Sequence, residues 1–179
     1  MEQLQKFTKD QIKIVTNAVA IAEELVSNHY KMSASEWLRP RYDVKTLVDL
    51  TPEEIVYGPF AQIVRYEAHR KDTSLGSSIY DFYKICLQDH AIDAALQASP
   101  PMRLFPFSIY IITHELIHIV RFSKFLQSFE ASPEARMKEE KRVHSKTRKI
   151  LSDVRVAGIS DVLKFYRNWR MPYEELQQV

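Results

Sequence analysis

The sequence contains one cysteine and three glycines among 179 residues. A single cysteine excludes an internal disulfide bond, and no histidine-paired nucleophile motif surrounds Cys86, which we interpret as a core thiol. The small number of glycines indicates a mainly helical protein. The net charge of +2 is too small to indicate binding to nucleic acid, and we interpret the one basic run, residues 141–149, as a solvated helix face. Any chemistry must therefore come from residues other than cysteine.

A hydrophobic run long enough to cross a membrane is also lacking. The longest strongly apolar segment, residues 104–112, is interrupted by Pro106 and falls well short of the ~20 residues that a spanning helix needs. The first six residues lack the basic and apolar regions of a signal peptide, so we expect a cytoplasmic protein. With 45% hydrophobic and 27% charged residues, we expect a single domain over residues 1–179, with a mobile tail at 171–179.

The pentapeptide His114-Glu115-Leu116-Ile117-His118 matches the pattern H-E-x-x-H within a segment that is apolar almost all round. On an α-helix the two histidines lie four residues apart on one face, so both imidazoles can reach one divalent metal ion. Two buried histidines and a glutamate are costly unless something satisfies them, and a metal ion would do so. We therefore predict a zinc site with His114 and His118 as ligands and Glu115 as the base beside it.

A third protein ligand must come from elsewhere in the chain. A histidine six residues after the second, as in metzincins, is absent, because Lys124 is at that position. The acidic residues and histidine that follow are Glu130, Glu134, Glu139, Glu140 and His144. Ser132 as N-cap, followed by Pro133, predicts a second helix over residues 133–156. Glu140 and His144 are the polar residues on its apolar stripe, whereas Glu139 lies about 100° further round.

Which of these two residues binds the metal depends on the packing of the two helices. If they form an antiparallel hairpin that turns near Ala131, His144 lies level with His118 and Glu140 lies one turn nearer the loop, which favours His144. The motif and its interval to Glu140 also resemble the gluzincin branch of the HExxH metallopeptidases, the zincins, over about residues 104–151. This resemblance implies Glu140 as third ligand and a supporting role for position 144. Gluzincins usually carry an acid there, so His144 stays open as a ligand, a support or a donor to the transition state.

The remaining pattern predicts an α+β fold that is predominantly α: a zincin-like helical domain with a small antiparallel β-hairpin beside the HExxH helix. Strands are expected at residues 60–69 and 79–87, with a turn around Gly76. Helices are expected at residues 8–28, 43–50, 51–58, 89–97, 104–125, 133–156 and 160–169. Zincins place a strand beside the active-site helix, where it can pair with an extended substrate, so the hairpin agrees with the resemblance.

These features together predict a zinc-dependent hydrolase that acts on a peptide or protein substrate through metal-activated water, with Glu115 as general base. A metal-binding module or sensor is the alternative, in which His114, His118, Glu140 and His144 all bind and no water position remains. A di-iron carboxylate protein is a third hypothesis, because Glu115 and His118 also match Glu-x-x-His, although the second copy expected for that class is absent. Another divalent transition metal could replace zinc.

Overall fold

Helices make up most of the described chain, which comprises residues 3–33, 36, 42–69, 79–124 and 126–168 of a computed structural model. These residues form five α-helices and three strands: α1 Lys9–Tyr30, β1 Tyr42–Lys45, β2 Ala61–His69, β3 Ile79–Leu87, α2 Asp89–Ala98, α3 Leu104–Ser123, α4 Pro133–Ser152 and α5 Ile159–Asn168. The expected α+β class, predominantly α, is confirmed. The predicted turn around Gly76 and the tail 171–179 lie outside the described residues.

Helix α3 is the central element of the core. Fifteen of its residues are buried, because its sequence is apolar on nearly every face. Helix α1 packs against it along a stripe of small and β-branched side chains at helical spacing, namely Val15, Ala18, Ala22 and Val26. Helices α4 and α5 and strands β2 and β3 contact other faces of α3. The HExxH motif is therefore held on a helix that is surrounded by packed elements.

The sheet has three strands in the order β1-β3-β2, so β2 is an edge strand of the described sheet. Strands β2 and β3 pair antiparallel, with Ala61 opposite Leu87, which confirms the expected hairpin. Strand β1 pairs parallel with β3, and the sequence pattern did not predict it. The prediction of a helix at residues 43–50 was wrong. This segment lies in β1 and in a single 3₁₀ turn, Leu47–Asp49. Pairing with β3 outweighs the weak local helix signal.

The prediction of a helix over residues 51–58 was also wrong, except for its first turn. Residues Pro52–Glu54 form one 3₁₀ turn with a capping box between Thr51 and Glu54, and the chain then leaves the helical path. The Glu54 carbonyl accepts hydrogen bonds from the side-chain amides of Gln88, at 3.0 Å, and Gln62, at 3.1 Å. These two side-chain amides take the place of the backbone N–H that would bind this carbonyl in a continued helix.

Polar residues close the ends of the helices around this core. Thr8 and Gln11 form a capping box at the start of α1, and Ser132 caps α4 as predicted. Helix α4 ends at Ser152, four residues earlier than predicted, and Gly158 with φ of +86° turns the chain into α5. Within the described residues, no helix combines the length and apolarity that crossing a membrane requires.

Candidate metal centre

Helix α3 brings the two motif histidines together on one buried face. His114 is 6% exposed and His118 is 4% exposed, so neither imidazole can rely on bulk water for its hydrogen bonds. Their Nε2 atoms lie 3.2 Å apart. The other ring nitrogen of His114, Nδ1, is buried and has no hydrogen-bond partner among the described residues. The two rings thus converge through their Nε2 atoms, as the spacing of the motif predicts.

Helix α4 places the Glu140 carboxylate between these two nitrogens. Its Oε2 lies 3.1 Å from His114 Nε2, and its Oε1 lies 2.9 Å from His118 Nε2. One nitrogen from each histidine and one carboxylate oxygen all lie within 4.8 Å of one another, so the three residues form a group that could hold a metal ion. Zinc ligands at about 2.0–2.1 Å in tetrahedral geometry are about 3.3 Å apart, close to the spacing here. The residues therefore fit zinc in both chemistry and span.

The offset between α3 and α4 differs from the tight hairpin assumed from the sequence. In that hairpin His144 would lie level with His118, whereas in the structure Glu140 reaches both histidines. The connection between the end of α3 at Ser123 and the start of α4 at Pro133 is centred on Ser128 and not on Ala131. The residue of α4 that lies level with a given residue of α3 therefore comes earlier in the sequence than the assumed turn implies.

His144 lies at the edge of this group. Its Nε2 is 3.9 Å from Glu140 Oε2, and its ring centroid is 4.2 Å from that of His114. Its Nδ1 is 2.8 Å from the hydroxyl of Tyr110, one turn before the motif on α3. Tyr166 of α5 stacks on Tyr110 with a centroid distance of 3.8 Å. This aromatic contact orients Tyr110, which in turn orients the His144 ring toward Glu140.

Burial and mutual charge set the ionisation of the group. Burial alone would raise the pKa of Glu140, but His114 and His118 hold it well below its usual range. Burial would lower the pKa of His118, but the hydrogen bond and charge of Glu140 raise it to about 9. Burial, aided by the charge of His114, lowers the pKa of His144 to about 3. Glu140 is thus anionic and His144 neutral at neutral pH, the forms in which these groups bind cations.

Two side chains, Gln127 and Glu139, make polar contacts beside the ligand group. Gln127, in the connection between α3 and α4, places its Oε1 3.0 Å from His118 Nδ1 and so accepts that ring's N–H when Nε2 faces a metal. Glu139, which is buried, forms ion pairs with Arg121 of α3 and Arg142 of α4. These ion pairs explain how Glu139 is buried without facing the ligand group.

A cleft of about 360 Å³ opens onto the ligand group. The cleft is lined by the start of β2 and the residues just before it, by α3, α4 and α5, and by the connection between α3 and α4. Besides the ligand group, the lining residues include Pro59, Phe60, Ala61, Gln62, Ile63, Ile111, Phe122, Ser128, Phe129, Arg136 and Tyr166. Glu115 also lines this cleft, beside the two histidines. Burial raises the pKa of its carboxyl, although the charges of His114 and His118 oppose that rise. A cation bound at the ligand group would also oppose that rise.

Each candidate site residue therefore lies at this one place: His114, His118 and Glu140 as a converging group, His144 beside it, and Glu115 on the wall of the cleft. Sequence periodicity could not find Gln127, because it lies in a connection. It could have found Arg136, which lies one turn before Glu140. Comparison of the chain with protein-family models, curated proteins and solved structures found no match in any of the three. The functional interpretation therefore depends on the motif and on the geometry of the site.

Proposed function

We propose that this chain is a zinc-dependent hydrolase that cleaves a peptide bond, with a fold and site related to those of the gluzincins. The observation that supports the proposal is that His114, His118 and Glu140 converge in a cleft that Glu115 also lines. Three protein ligands leave a fourth position for water, which is the arrangement of catalytic rather than structural zinc sites. The cleft gives a substrate access to that position.

His114 and His118 would bind zinc through Nε2, and Glu140 would bind through one carboxylate oxygen. Bound zinc would supply a Lewis acid that polarises the substrate carbonyl and lowers the pKa of water to about 7. Glu115 would accept a proton from the attacking water and deliver it to the departing amine. Gln127 would hold the His118 ring in orientation by accepting its Nδ1–H.

Glu140 is the better third ligand on the observed geometry. Its two oxygens lie at 3.1 Å and 2.9 Å from the two histidine nitrogens, whereas His144 is outside the converging group. The Tyr110 hydroxyl lies against His144 Nδ1. When that hydroxyl donates, the proton of the neutral His144 ring is on Nε2, so this nitrogen can donate a hydrogen bond toward the cleft but cannot bind a metal. We assign His144 this donor role.

Strand β2 supports a peptide as the substrate class. It is the edge strand of the described sheet, and Ala61, Gln62 and Ile63 at its beginning line the cleft. An edge strand offers unpaired backbone groups to which an extended peptide can add as a further strand. A peptide bound in this way would lie across the cleft above the ligand group.

The proximity of His144 favours one alternative, a closed metal-binding module without turnover. A small shift of the His144 Nε2 atom, now 3.9 Å from Glu140, would bring a fourth protein ligand to the metal. Replacing His144 by alanine separates the two functions. It should cost about 10-fold in zinc affinity if His144 only supports the site, and far more if it is a ligand. A di-iron centre is less well supported, because the described residues contain one converging group of possible ligands.

The test of the hydrolase proposal is a comparison of wild type with Glu115→Gln on a diverse peptide library. Glutamine preserves size and removes the base, so zinc content and fold should be unchanged, and turnover should fall by at least about 10²-fold. Glu134→Gln is the matched control, because Glu134 is an exposed glutamate on α4 that pairs with Lys138. Equal cleavage by wild type and Glu115→Gln would reject the mechanism. No cleavage by either, with zinc bound, would favour the closed module.

A further inference from the structure

Arg136 is the one lysine or arginine among the described residues that line the cleft. It lies on the first turns of α4, four residues before Glu140 and eight before His144, so all three residues share one face of the helix. Four residues of helix correspond to about 6 Å. The backbone position of Arg136 is therefore about one helical turn from that of Glu140, and Arg136 lines the same cleft.

Neighbouring arginines differ from Arg136 because they have carboxylate partners. Arg121 and Arg142 both bind the buried Glu139, and Arg65 is 3.4 Å from Glu130. Arg136 is exposed, and no ion pair or hydrogen bond of its side chain occurs within the described residues. Its charge is thus available to a molecule that enters the cleft.

Part of the lining of the cleft is apolar and aromatic. Phe60 just before β2, Phe122 of α3 and Phe129 of the connection all line the cleft. Phe129 is held in place by the Phe122 ring, at 5.3 Å between centroids, and by the Arg65 guanidinium, 4.9 Å from its centroid. The cleft therefore offers one apolar surface and one cationic group to the same ligand.

We propose that Arg136 selects peptides that carry a carboxylate within one or two residues of the bond to be cleaved, next to an apolar side chain. This inference rests on the proposed peptide hydrolase function. An extended peptide rises about 3.3 Å per residue, so the one-turn separation of Arg136 from Glu140 spans about two residues of substrate. Arginine matches a carboxylate because its planar guanidinium can donate two parallel hydrogen bonds.

The carboxylate can come from an aspartate or glutamate side chain or from the C-terminus of a peptide. Both present the same planar anion to Arg136, and they predict different substrates. The first makes the protein an endopeptidase that prefers acidic sequences. The second makes it an enzyme that trims residues from C-terminal ends.

The experiment measures peptide binding by titration calorimetry to the zinc-loaded Glu115→Gln protein, which should bind peptides without cleaving them. The probes are acetyl-Ala-Ala-Phe-Ala-Ala-amide, the same peptide with Asp or Asn placed at each alanine in turn, and its free-acid form. We expect one Asp peptide, or the free acid, to bind about 10-fold more tightly than its Asn or amide counterpart, which corresponds to about 1.4 kcal/mol.

In the Glu115→Gln protein, the additional substitution Arg136→Ala should abolish this preference. Arg136→Glu should reverse it, so that peptides with lysine in place of the preferred Asp bind more tightly. Lys138→Ala is the matched control, because it removes a positive charge from the same helix outside the cleft and should leave the preference intact. Equal binding of acidic and neutral peptides, no binding by any of them, or a preference that survives Arg136→Ala would overturn the inference. Cleavage by the wild-type protein is measured separately. If the binding preference is present but the wild type cleaves no peptide, only the hydrolase proposal is overturned.

Discussion

Zinc should stabilise this protein by linking two helices of its core. The ligand group joins α3 to α4, with His114 and His118 on the first and Glu140 on the second. An ion bound at this place can bind only when the two helices are packed as in the native state. Native-state binding therefore adds directly to the free energy of unfolding.

The size of the effect follows from mass action. At a free zinc concentration about 100 times the dissociation constant, binding adds about 2.7 kcal/mol to the free energy of unfolding. For a chain of 150–250 residues, each kcal/mol raises the melting temperature by about 2–4 °C. We therefore expect zinc to raise the melting temperature by about 5–11 °C over the metal-free protein at this saturation.

Differential scanning calorimetry on chelator-treated and zinc-reconstituted protein would measure this shift, and metal analysis would give about one zinc per chain. His118→Ala and Glu140→Gln should each remove most of the shift, because each deletes one of three ligands. Glu134→Gln should retain it, since Glu134 is 77% exposed and pairs with Lys138 instead of the metal group. An unchanged melting temperature after zinc reconstitution, or a full shift in Glu140→Gln, would refute the assignment of these ligands.

Three further predictions concern residues around the ligand group and in the scaffold. Gln127→Ala should weaken zinc affinity about 10-fold in a competition titration, because it removes the acceptor for His118 Nδ1; unchanged affinity would show that Gln127 does not orient the ring. Burial opposes ionisation of Glu54, but hydrogen bonds from Lys84 and Tyr66 lower its pKa to about 2. The ionised form of Glu54 therefore adds up to about 3 kcal/mol to the free energy of unfolding above about pH 4.5, and this contribution is lost as the pH falls toward 2. In urea unfolding, the free energy of unfolding of Glu54→Gln should fall less steeply with decreasing pH than that of wild type. Gly158→Ala should destabilise the protein by about 1 kcal/mol or more by thermal unfolding, because φ is +86° there and the new Cβ would lie 3.1 Å from Arg103 Nη2.

Local patterns in the sequence predicted most of the helices and the hairpin. The apolar run before the motif predicts α3, and Ser132 followed by Pro133 predicts the first residue of α4. The strand at residues 79–87 was predicted with the bounds that the structure has. These elements share strong periodicity and clear end signals, so that neighbouring residues alone determine them.

Features that depend on residues distant in the chain were not predicted. Strand β1 exists because residues 42–45 pair with residues 83–86 of β3, and four residues carry too little pattern of their own. The position of α4 along α3 depends on how the connection between them packs. Those contacts cannot be derived from the local sequence pattern. For this reason the sequence alone leaves the choice between Glu140 and His144 open.

The connection between α3 and α4 contacts both the candidate ligand group and strand β2. At one end Gln127 contacts His118, one of the candidate metal ligands. A little further along, Phe129 and Glu130 both contact Arg65 of β2, the strand that borders the cleft. The same segment thus touches the ligand group on one side and the edge strand on the other. If a peptide pairs with β2 as proposed, we therefore expect its binding to alter the contact between Gln127 and His118 through this segment.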